Sequence, residues 1–187
     1  METNRALKQI TMNRKHFLRK AFTGLAGAMI LPSLALAGGR GGNIPPKIAR
    51  SGEGRKLNVL GDNMTLKLDA EDTGGLYTLI EQNNEPGVGI PLHVHSGEDE
   101  VFRIISGRVE FRLEEKTAVL GAGDMIFCPR GIPHAWKVVG DGPAKVDLSF
   151  FPAGLERMFA ELARLPAGPP DMERVGEICA RYGLRFV

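Results

Sequence analysis

The chain has 187 residues, 43% of them hydrophobic and 25% charged, with a formal net charge of +2 at pH 7. Six of its Lys and Arg residues and one acidic residue lie in residues 1–37, so residues 38–187 carry 18 basic and 21 acidic side chains. That balance gives this longer part a net charge of −3 and excludes the basic surface expected of a nucleic-acid-binding protein. About 150 residues are enough for one domain with a substantial core.

Residues 1–37 are predicted to be an export signal peptide rather than part of the fold. A basic stretch over 13–20 precedes a moderately apolar segment over 21–31, and Ala35-Leu36-Ala37 supplies a small-residue cleavage pattern. The basic stretch resembles a twin-arginine export signal with Lys15 in place of the second arginine, so the general secretory route also stays open. The apolar segment is too short and too rich in glycine to span a membrane well. We therefore expect an exported protein, located in the periplasm, with no stable membrane span in its mature form.

The next segments predict a short leader and then a β domain. Residues 38–56 are rich in Gly and Pro, which is typical of a flexible leader. Residues 57–151 consist of short apolar runs separated by Gly- and Pro-containing turns, a pattern that favours an antiparallel sandwich or barrel. A small barrel can hold one small ligand at its mouth, so a small molecule is the expected partner. Besides the runs around the histidines, the predicted strands are 64–69, 76–80, 109–113, 118–120, 125–128, 135–139 and 145–150.

Within this β region, three of the four histidines of the chain and one glutamate have the spacing of metal ligands. In a β-strand successive side chains alternate faces, so His93 and His95 point the same way. Glu100 begins the next apolar run, and His134 follows a Pro-Arg-Gly-Ile-Pro turn. Three imidazoles and a carboxylate suit one divalent transition metal and leave coordination positions for water or substrate. The alternative is that these are ordinary histidines of the core or surface.

These residues belong to two linked motifs. The first is Gly87, five residues, His93-Val94-His95, four residues, Glu100, six residues and Gly107; the second is Gly123, five residues, Pro129-Arg130-Gly131, two residues and His134. The pair resembles the two motifs of the cupin superfamily, and the resemblance extends over roughly residues 57–151. One departure is Val138, which replaces an Asn that usually serves a turn rather than the metal. The resemblance implies a double-stranded β-helix, that is, a jelly-roll cupin barrel.

Two further questions about the site arise from the same region. Glu98 and Asp99 lie beside Glu100 and could compete with it as ligand. Asp99 fits a shorter variant of the first motif, but only Glu100 keeps the six-residue interval to Gly107. Counting in twos along the strands from Glu100 and His134 places three large side chains on the inward face, where they either line a substrate pocket or simply fill the barrel. These three residues are Phe102, Ile104 and Trp136.

Residues 152–187 change to a helical period and are predicted to form a helical segment that packs on the barrel. Apolar residues recur at helical spacing from Leu155 to Leu162, and a second helix is expected to begin with Asp171 as its N-cap and to end at Gly183. The alternatives for these helices are contact with a neighbouring subunit or a lid over the barrel mouth. The sequence favours two separate buried thiols for Cys128 and Cys179 over a disulfide.

Three functions are consistent with these observations. Similarity to quercetin dioxygenase-like cupins, which extends to the C-terminal tail, implies a metal-dependent dioxygenase for a small aromatic or enolic substrate, with Glu100 as ligand and catalytic proton acceptor. A metal acting only as a Lewis acid would instead support an isomerase or lyase. A non-catalytic protein that binds a small ligand or the metal itself is the third alternative. The metal is expected to be Fe, Mn, Ni, Cu or Zn, and cupins often form homodimers.

Overall fold

The computed structural model describes residues 44–166 and 168–187, and these residues are mainly β. The first half contains β1 (Arg55–Val59), β2 (Asp62–Leu68), α1 (Ala70–Thr73), β3 (Thr78–Asn84), β4 (Gly89–His95), β5 (Asp99–Ser106) and β6 (Arg108–Leu113). The second half contains β7 (Lys116–Gly121), β8 (Met125–Cys128), β9 (His134–Val139), β10 (Ala144–Phe151), α2 (Glu156–Leu162), α3 (Met172–Arg181) and β11 (Leu184–Phe186).

The strands form two antiparallel sheets that face each other. One sheet has the order β1-β2-β3-β10-β5-β8, and the other has the order β11-β4-β9-β6-β7. The chain therefore crosses between the sheets repeatedly, for example from β4 in the second sheet to β5 in the first. This architecture confirms the predicted jelly roll with C-terminal helices.

The hydrophobic core lies between the two sheets because buried and exposed positions alternate along the strands. In β10, for example, Val146, Leu148 and Phe150 are buried and the residues between them are partly exposed. In β5 the buried positions include Phe102 and Ile104, which share the inner face with Glu100. The interior is therefore largely apolar, and the polar side chains buried in it are the motif residues and a few others such as Thr78, Gln82 and Asn84.

The two C-terminal helices pack on the barrel, and their apolar residues join its core. Leu155, Met158, Phe159 and Leu162 form the buried stripe along α2. Helix α3 begins as predicted, because the Asp171 carboxylate accepts hydrogen bonds from the backbone N–H groups of Glu173 and Arg174. Its buried side chains are Val175, Ile178 and Cys179. No helix among the described residues combines the length and hydrophobicity that a bilayer-crossing segment needs.

Three short elements carry no clear pattern in the sequence. Strand β1 lies partly inside the segment expected to be a leader, and the Lys67 ammonium donates to the carbonyl oxygens of Arg50 at 2.6 Å and Glu53 at 2.5 Å, which ties that segment to β2. Helix α1 follows β2, and β11 pairs with β4, where Leu184 lies opposite His95. The predicted export signal over 1–37 lies outside the described residues. Cys128 and Cys179 are both buried, unpaired thiols.

Candidate metal centre

The two sheets bring the four predicted metal ligands to one place inside the barrel. His93 and His95 end β4, and His134 begins the neighbouring strand β9, where it lies directly opposite His93. Glu100 projects from β5 in the facing sheet. One potential ligand atom from each of these four residues lies within 4.8 Å of all the others. The facing sheets therefore place three imidazoles and a carboxylate around one point.

The hydrogen bonds at the far side of two imidazoles define which nitrogen faces the cluster. Nδ1 of His93 lies 2.9 Å from the carbonyl oxygen of Pro91, and Nδ1 of His134 lies 3.1 Å from that of Ile132. A carbonyl oxygen only accepts, so both Nδ1 atoms carry the proton and both Nε2 atoms offer a lone pair when the imidazole is neutral. This arrangement is the one in which histidine binds metals. The residues present therefore fit a divalent metal ion.

Burial and the Glu100 carboxylate shift the pKa values of two imidazoles in opposite directions. All four side chains are at most 3% exposed. Burial lowers the pKa of His93 to about 4, despite the nearby charge of Glu100. Burial also acts to lower the pKa of His134, but the hydrogen bond and negative charge of Glu100 outweigh it and raise that pKa. Nε2 of His134 and the Glu100 carboxylate lie 2.5 Å apart, so they share a hydrogen bond at a position that a metal ion can occupy instead.

The third imidazole has a different environment on its outer side. Nδ1 of His95 is buried and has no hydrogen-bond partner among the described residues. The closest carboxylate oxygen is Oε2 of Glu98, at 3.8 Å, which also lacks a partner within the described chain. This distance exceeds that of a hydrogen bond. Glu98 therefore lies behind His95 rather than in the cluster.

Asp99 and Glu100 lie in different surroundings. The Asp99 carboxylate faces the surface, where Nε and Nη2 of Arg130 donate to it at 3.0 and 2.9 Å. The backbone N–H of Arg130 donates to the same carboxylate, and these hydrogen bonds lower the pKa of Asp99 to about 2. Glu100 alone of the pair joins the histidines. Asp99 instead ties β5 to the turn that precedes His134.

Two motif glycines have backbone roles that position these elements. Gly131 adopts a φ of 79°, and its N–H donates to the carbonyl oxygen of His95 at 2.7 Å, which fixes the turn beside the cluster. Gly107 adopts a φ of 80°, and a Cβ there would lie 2.5 Å from Cα of Ala144. A side chain at Gly107 would therefore push β5 and β10 apart.

The predicted pocket residues have two different locations. Trp136 lines a cavity of about 40 Å³ together with His93, His95 and Glu100. Phe102 and Ile104 are at most 1% exposed, and Phe102 stacks edge-on against Phe111 in the hydrophobic core. The structure thus places Phe102 and Ile104 where the core alternative puts them, and a role in binding substrate remains a prediction for them.

Sequence reasoning missed two polar residues that line the same cavity, Asp62 and Gln82. Asp62 belongs to a Gly-Asp-Asn run that is typical of a turn, and Gln82 lies in a polar stretch at the end of β3. Neither has a motif, so no sequence signal could identify them.

Cys128 lies opposite Glu100 in the β5–β8 pair. Burial and the Glu100 charge raise the pKa of the Cys128 thiol to about 12, so this thiol is protonated at neutral pH and is not a nucleophile.

Comparison with known proteins agrees with this geometry. Residues 81–151 match the family model described as a cupin domain. The chain is 29% identical over 93 residues to quercetin 2,3-dioxygenase of Bacillus subtilis (strain 168), a match that covers 50% of this chain and 28% of that protein. The chain therefore spans less than a third of the length of this curated relative.

Two solved structures share the fold over their full length. A predicted oxalate decarboxylase from Thermotoga maritima has 24% identity and a TM-score of 0.52, with coverage of 57% of this chain and 99% of that one. KdgF from Halomonas sp. has 18% identity and a TM-score of 0.52, with coverage of 59% and 99%. At these identities the likeness shows the fold alone. Together with the paired motifs, the domain match leads to one conclusion: residues 81–151 are a cupin domain, and the sequence of the chain resembles that of quercetin 2,3-dioxygenase.

Proposed function

We propose that the protein is a metal-dependent dioxygenase that acts on a small aromatic or enolic substrate. The observation that carries this proposal is the buried cluster of three imidazoles and one carboxylate around a cavity. Such a donor set suits a transition metal with open coordination positions. The similarity to quercetin 2,3-dioxygenase supports the choice of reaction, although the match covers only 28% of that protein.

The residues of the chain would divide the work in the following way. His93, His95, Glu100 and His134 would hold a redox-active metal, which would supply open coordination positions and the chemistry of dioxygen. Glu100 accepts the proton of an enol or phenol, because it is the one carboxylate of the cluster and borders the cavity. Trp136 contributes an apolar wall that keeps bulk water away from the reacting end.

The first experiment is elemental analysis of the mature protein purified from its native compartment, followed by oxygen uptake with a panel of phenols and enols. The proposal expects about one equivalent of iron, manganese, nickel or copper, and oxygen consumption with at least one substrate. The matched control is His134→Ala, which should lose both metal and oxygen uptake. Zinc without oxygen uptake would support an isomerase or lyase that uses the metal as a Lewis acid. Less than a tenth of an equivalent of any metal would contradict every metalloenzyme proposal and leave a binding protein.

We also propose that the protein is exported to the periplasm. The support is the basic stretch, apolar segment and small-residue pattern of residues 1–37. Fractionation of cells and N-terminal sequencing of the product test it. A periplasmic protein that begins near residue 38 is the expected result, whereas an intact cytoplasmic chain would contradict it.

A homodimer is the proposed oligomeric state. Met125 and Phe127 are 62% and 55% exposed on β8, which forms an edge of the six-stranded sheet. Exposed apolar side chains on a sheet edge are typical of a contact surface. Sedimentation equilibrium should give twice the chain mass, and Phe127→Lys should give a monomer. A monomeric wild type at micromolar concentration would contradict the proposal.

A further inference from the structure

The metal cluster, that is, the four candidate metal ligands His93, His95, Glu100 and His134, borders a small cavity, and a larger cavity adjoins it. The first has a volume of about 40 Å³, which suits a few water molecules rather than a ring-containing molecule. The second has a volume of about 220 Å³. Both are lined by Asp62, Met64, Ile90, Phe159 and Leu184, so they share a boundary. The second cavity therefore offers room for the part of a substrate that does not fit beside the cluster.

The wall of the second cavity is apolar and comes largely from the C-terminal segment. Met158 and Leu162 of α2 and Val175 of α3 line it, and each is at most 5% exposed. Its volume lies below the range of about 300–1,000 Å³ that is typical of pockets for drug-sized ligands. The cavity therefore suits a compact apolar group, such as a single ring with a short alkyl chain.

Among the described residues that line this second cavity, Asp62 is the one carboxylate. Its oxygens accept hydrogen bonds from Nδ2 of Asn84 at 2.6 Å and from Nε2 of Gln82 at 2.7 Å. Asn84 is fixed in turn by the backbone N–H of Asn63, which donates to its side-chain oxygen at 2.7 Å. Gln82 and Asn84 are 2% and 1% exposed, so the carboxylate is held rigidly at the boundary of the two cavities.

The Asp62 carboxylate can accept a further hydrogen bond. Each carboxylate oxygen has about two lone pairs, and one amide donor leaves capacity on each oxygen. No cationic side chain of the described chain forms an ion pair with it. Burial raises its pKa to about 6, against the hydrogen bonds from Asn84 and Gln82, so the carboxylate is mainly ionised at neutral pH. An uncompensated, rigid carboxylate at a cavity wall is typical of a binding site.

We propose that Asp62 binds a hydroxyl group of the substrate other than the one whose proton Glu100 accepts, while the apolar part of the same molecule fills the second cavity and its reacting end faces the metal cluster. This inference rests on the proposed function, because it identifies the substrate class as small phenols or enols with an apolar substituent. The structural alternative is that the Asp62 hydrogen bonds only tie β2 to β3.

Binding of 4-propylphenol and of its methyl ether, 4-propylanisole, distinguishes these alternatives. The methyl ether keeps the apolar part but cannot donate a hydrogen bond. We expect the wild type to bind the phenol about tenfold more tightly, since a hydrogen bond to a charged group is worth at least this factor. The fluorescence of Trp136, the single tryptophan of the chain, reports binding because Trp136 lines the first cavity, which the bound molecule borders. Equal binding of both compounds would overturn the proposal.

Asp62→Asn should bind both compounds with affinities within about threefold of each other. The matched control is Asp141→Asn, an identical change at an exposed turn, which should keep the tenfold preference. A preference that persists in folded Asp62→Asn would overturn the proposal. If Asp62→Asn does not fold, a crystal structure of the wild type with 4-propylphenol decides instead. A phenol oxygen within 3.2 Å of the Asp62 carboxylate supports the proposal, and any other position overturns it.

Both binding measurements are made on metal-loaded and on chelator-treated protein. In the loaded protein a phenol can also bind the metal, so a preference that remains in the metal-free protein belongs to Asp62. Failure of the proposed function appears separately, as absent metal or absent oxygen uptake. The two proposals can thus fail independently.

Discussion

The interior of this barrel holds two clusters of polar side chains, and they differ in how many hydrogen-bond partners the protein supplies to them. In the metal cluster, Nε2 of His134 is hydrogen-bonded to Glu100, but Nδ1 of His95 has no partner among the described residues. At the other end of the cavity, Asp62 accepts hydrogen bonds from two buried amides. The first group is therefore a set of donor atoms that fits a divalent cation, whereas the second is a hydrogen-bond acceptor with spare capacity. The partners that a buried polar cluster lacks within the protein indicate the kind of ligand that it binds.

The largest expected effect comes from removing a metal ligand. His134→Ala should weaken metal binding by about 100- to 1,000-fold, because a site worth roughly 10–16 kcal/mol loses one of four ligands. Metal content after dialysis, measured by elemental analysis, checks this. Asp99→Asn is the matched control and should keep its metal, since Asp99 binds Arg130 at the surface. Full metal content in His134→Ala would show that the cluster is not the site.

The next largest effect is expected from the titration of Asp62, which makes the free energy of unfolding depend on pH. Its folded-state pKa of about 6 lies above the ordinary value of 3.8, so the folded state holds the proton more tightly. The contribution of protonated Asp62 to the free energy of unfolding is fully present below about pH 4 and is lost as the pH rises through 6. Relative to Asp62→Asn, the wild type should lose up to about 3 kcal/mol of unfolding free energy between pH 4 and pH 7. Urea unfolding of both metal-free proteins at each pH measures this difference.

Asp99→Asn provides a control of opposite sign for that titration. Hydrogen bonds from Arg130 lower the pKa of Asp99, so its contribution is present above about pH 4 and is lost as the pH falls. Relative to Asp99→Asn, the wild type should therefore lose stability on acidification. A difference between the wild type and Asp62→Asn that does not change with pH would show that Asp62 is solvated like a surface carboxylate.

Metal removal should have a somewhat smaller effect on stability. Free metal at 100 times its dissociation constant stabilises the folded state by about 2.7 kcal/mol, because it binds the folded chain alone. Chelator-treated wild type should therefore unfold at lower urea concentration than the metal-loaded protein. The same treatment should leave His134→Ala unchanged. Equal stability of the loaded and treated wild type would mean that the cluster binds no metal under those conditions.

Glu98 should give the smallest effect. Its carboxylate lies 3.8 Å from Nδ1 of His95, beyond hydrogen-bond distance. Residues that orient a metal-bound histidine typically change metal affinity by about 10- to 100-fold, so Glu98→Gln should weaken binding by about tenfold at most. Competition with a chromophoric chelator measures this. A loss as large as that of His134→Ala would place Glu98 among the ligands.

Much of the fold and the metal cluster could be predicted from sequence because both have a local period or spacing. Alternation identified most strands, and helical spacing with Asp171 as N-cap identified the C-terminal helices. Strand β11 could not be predicted, because three residues are too few to show a period. The alternation of side chains along β5 correctly places Phe102 and Ile104 on the inward face with Glu100. Alternation does not distinguish a side chain in the core from one that lines a cavity. The preference for Glu100 over Asp99 followed from motif spacing, and Arg130 supplies the physical reason.

By itself, the sequence determined the motif residues, the jelly-roll class and the change from strands to helices, because each depends on neighbours along the chain. Only the tertiary structure decided which side chains share a cavity. Asp62 and Gln82 come from two strands and meet the metal cluster only after the sheets face each other. The second cavity exists only because α2 and α3 pack beside β4 and β11. Cavities form where distant segments meet, and no local pattern records the shape that they enclose.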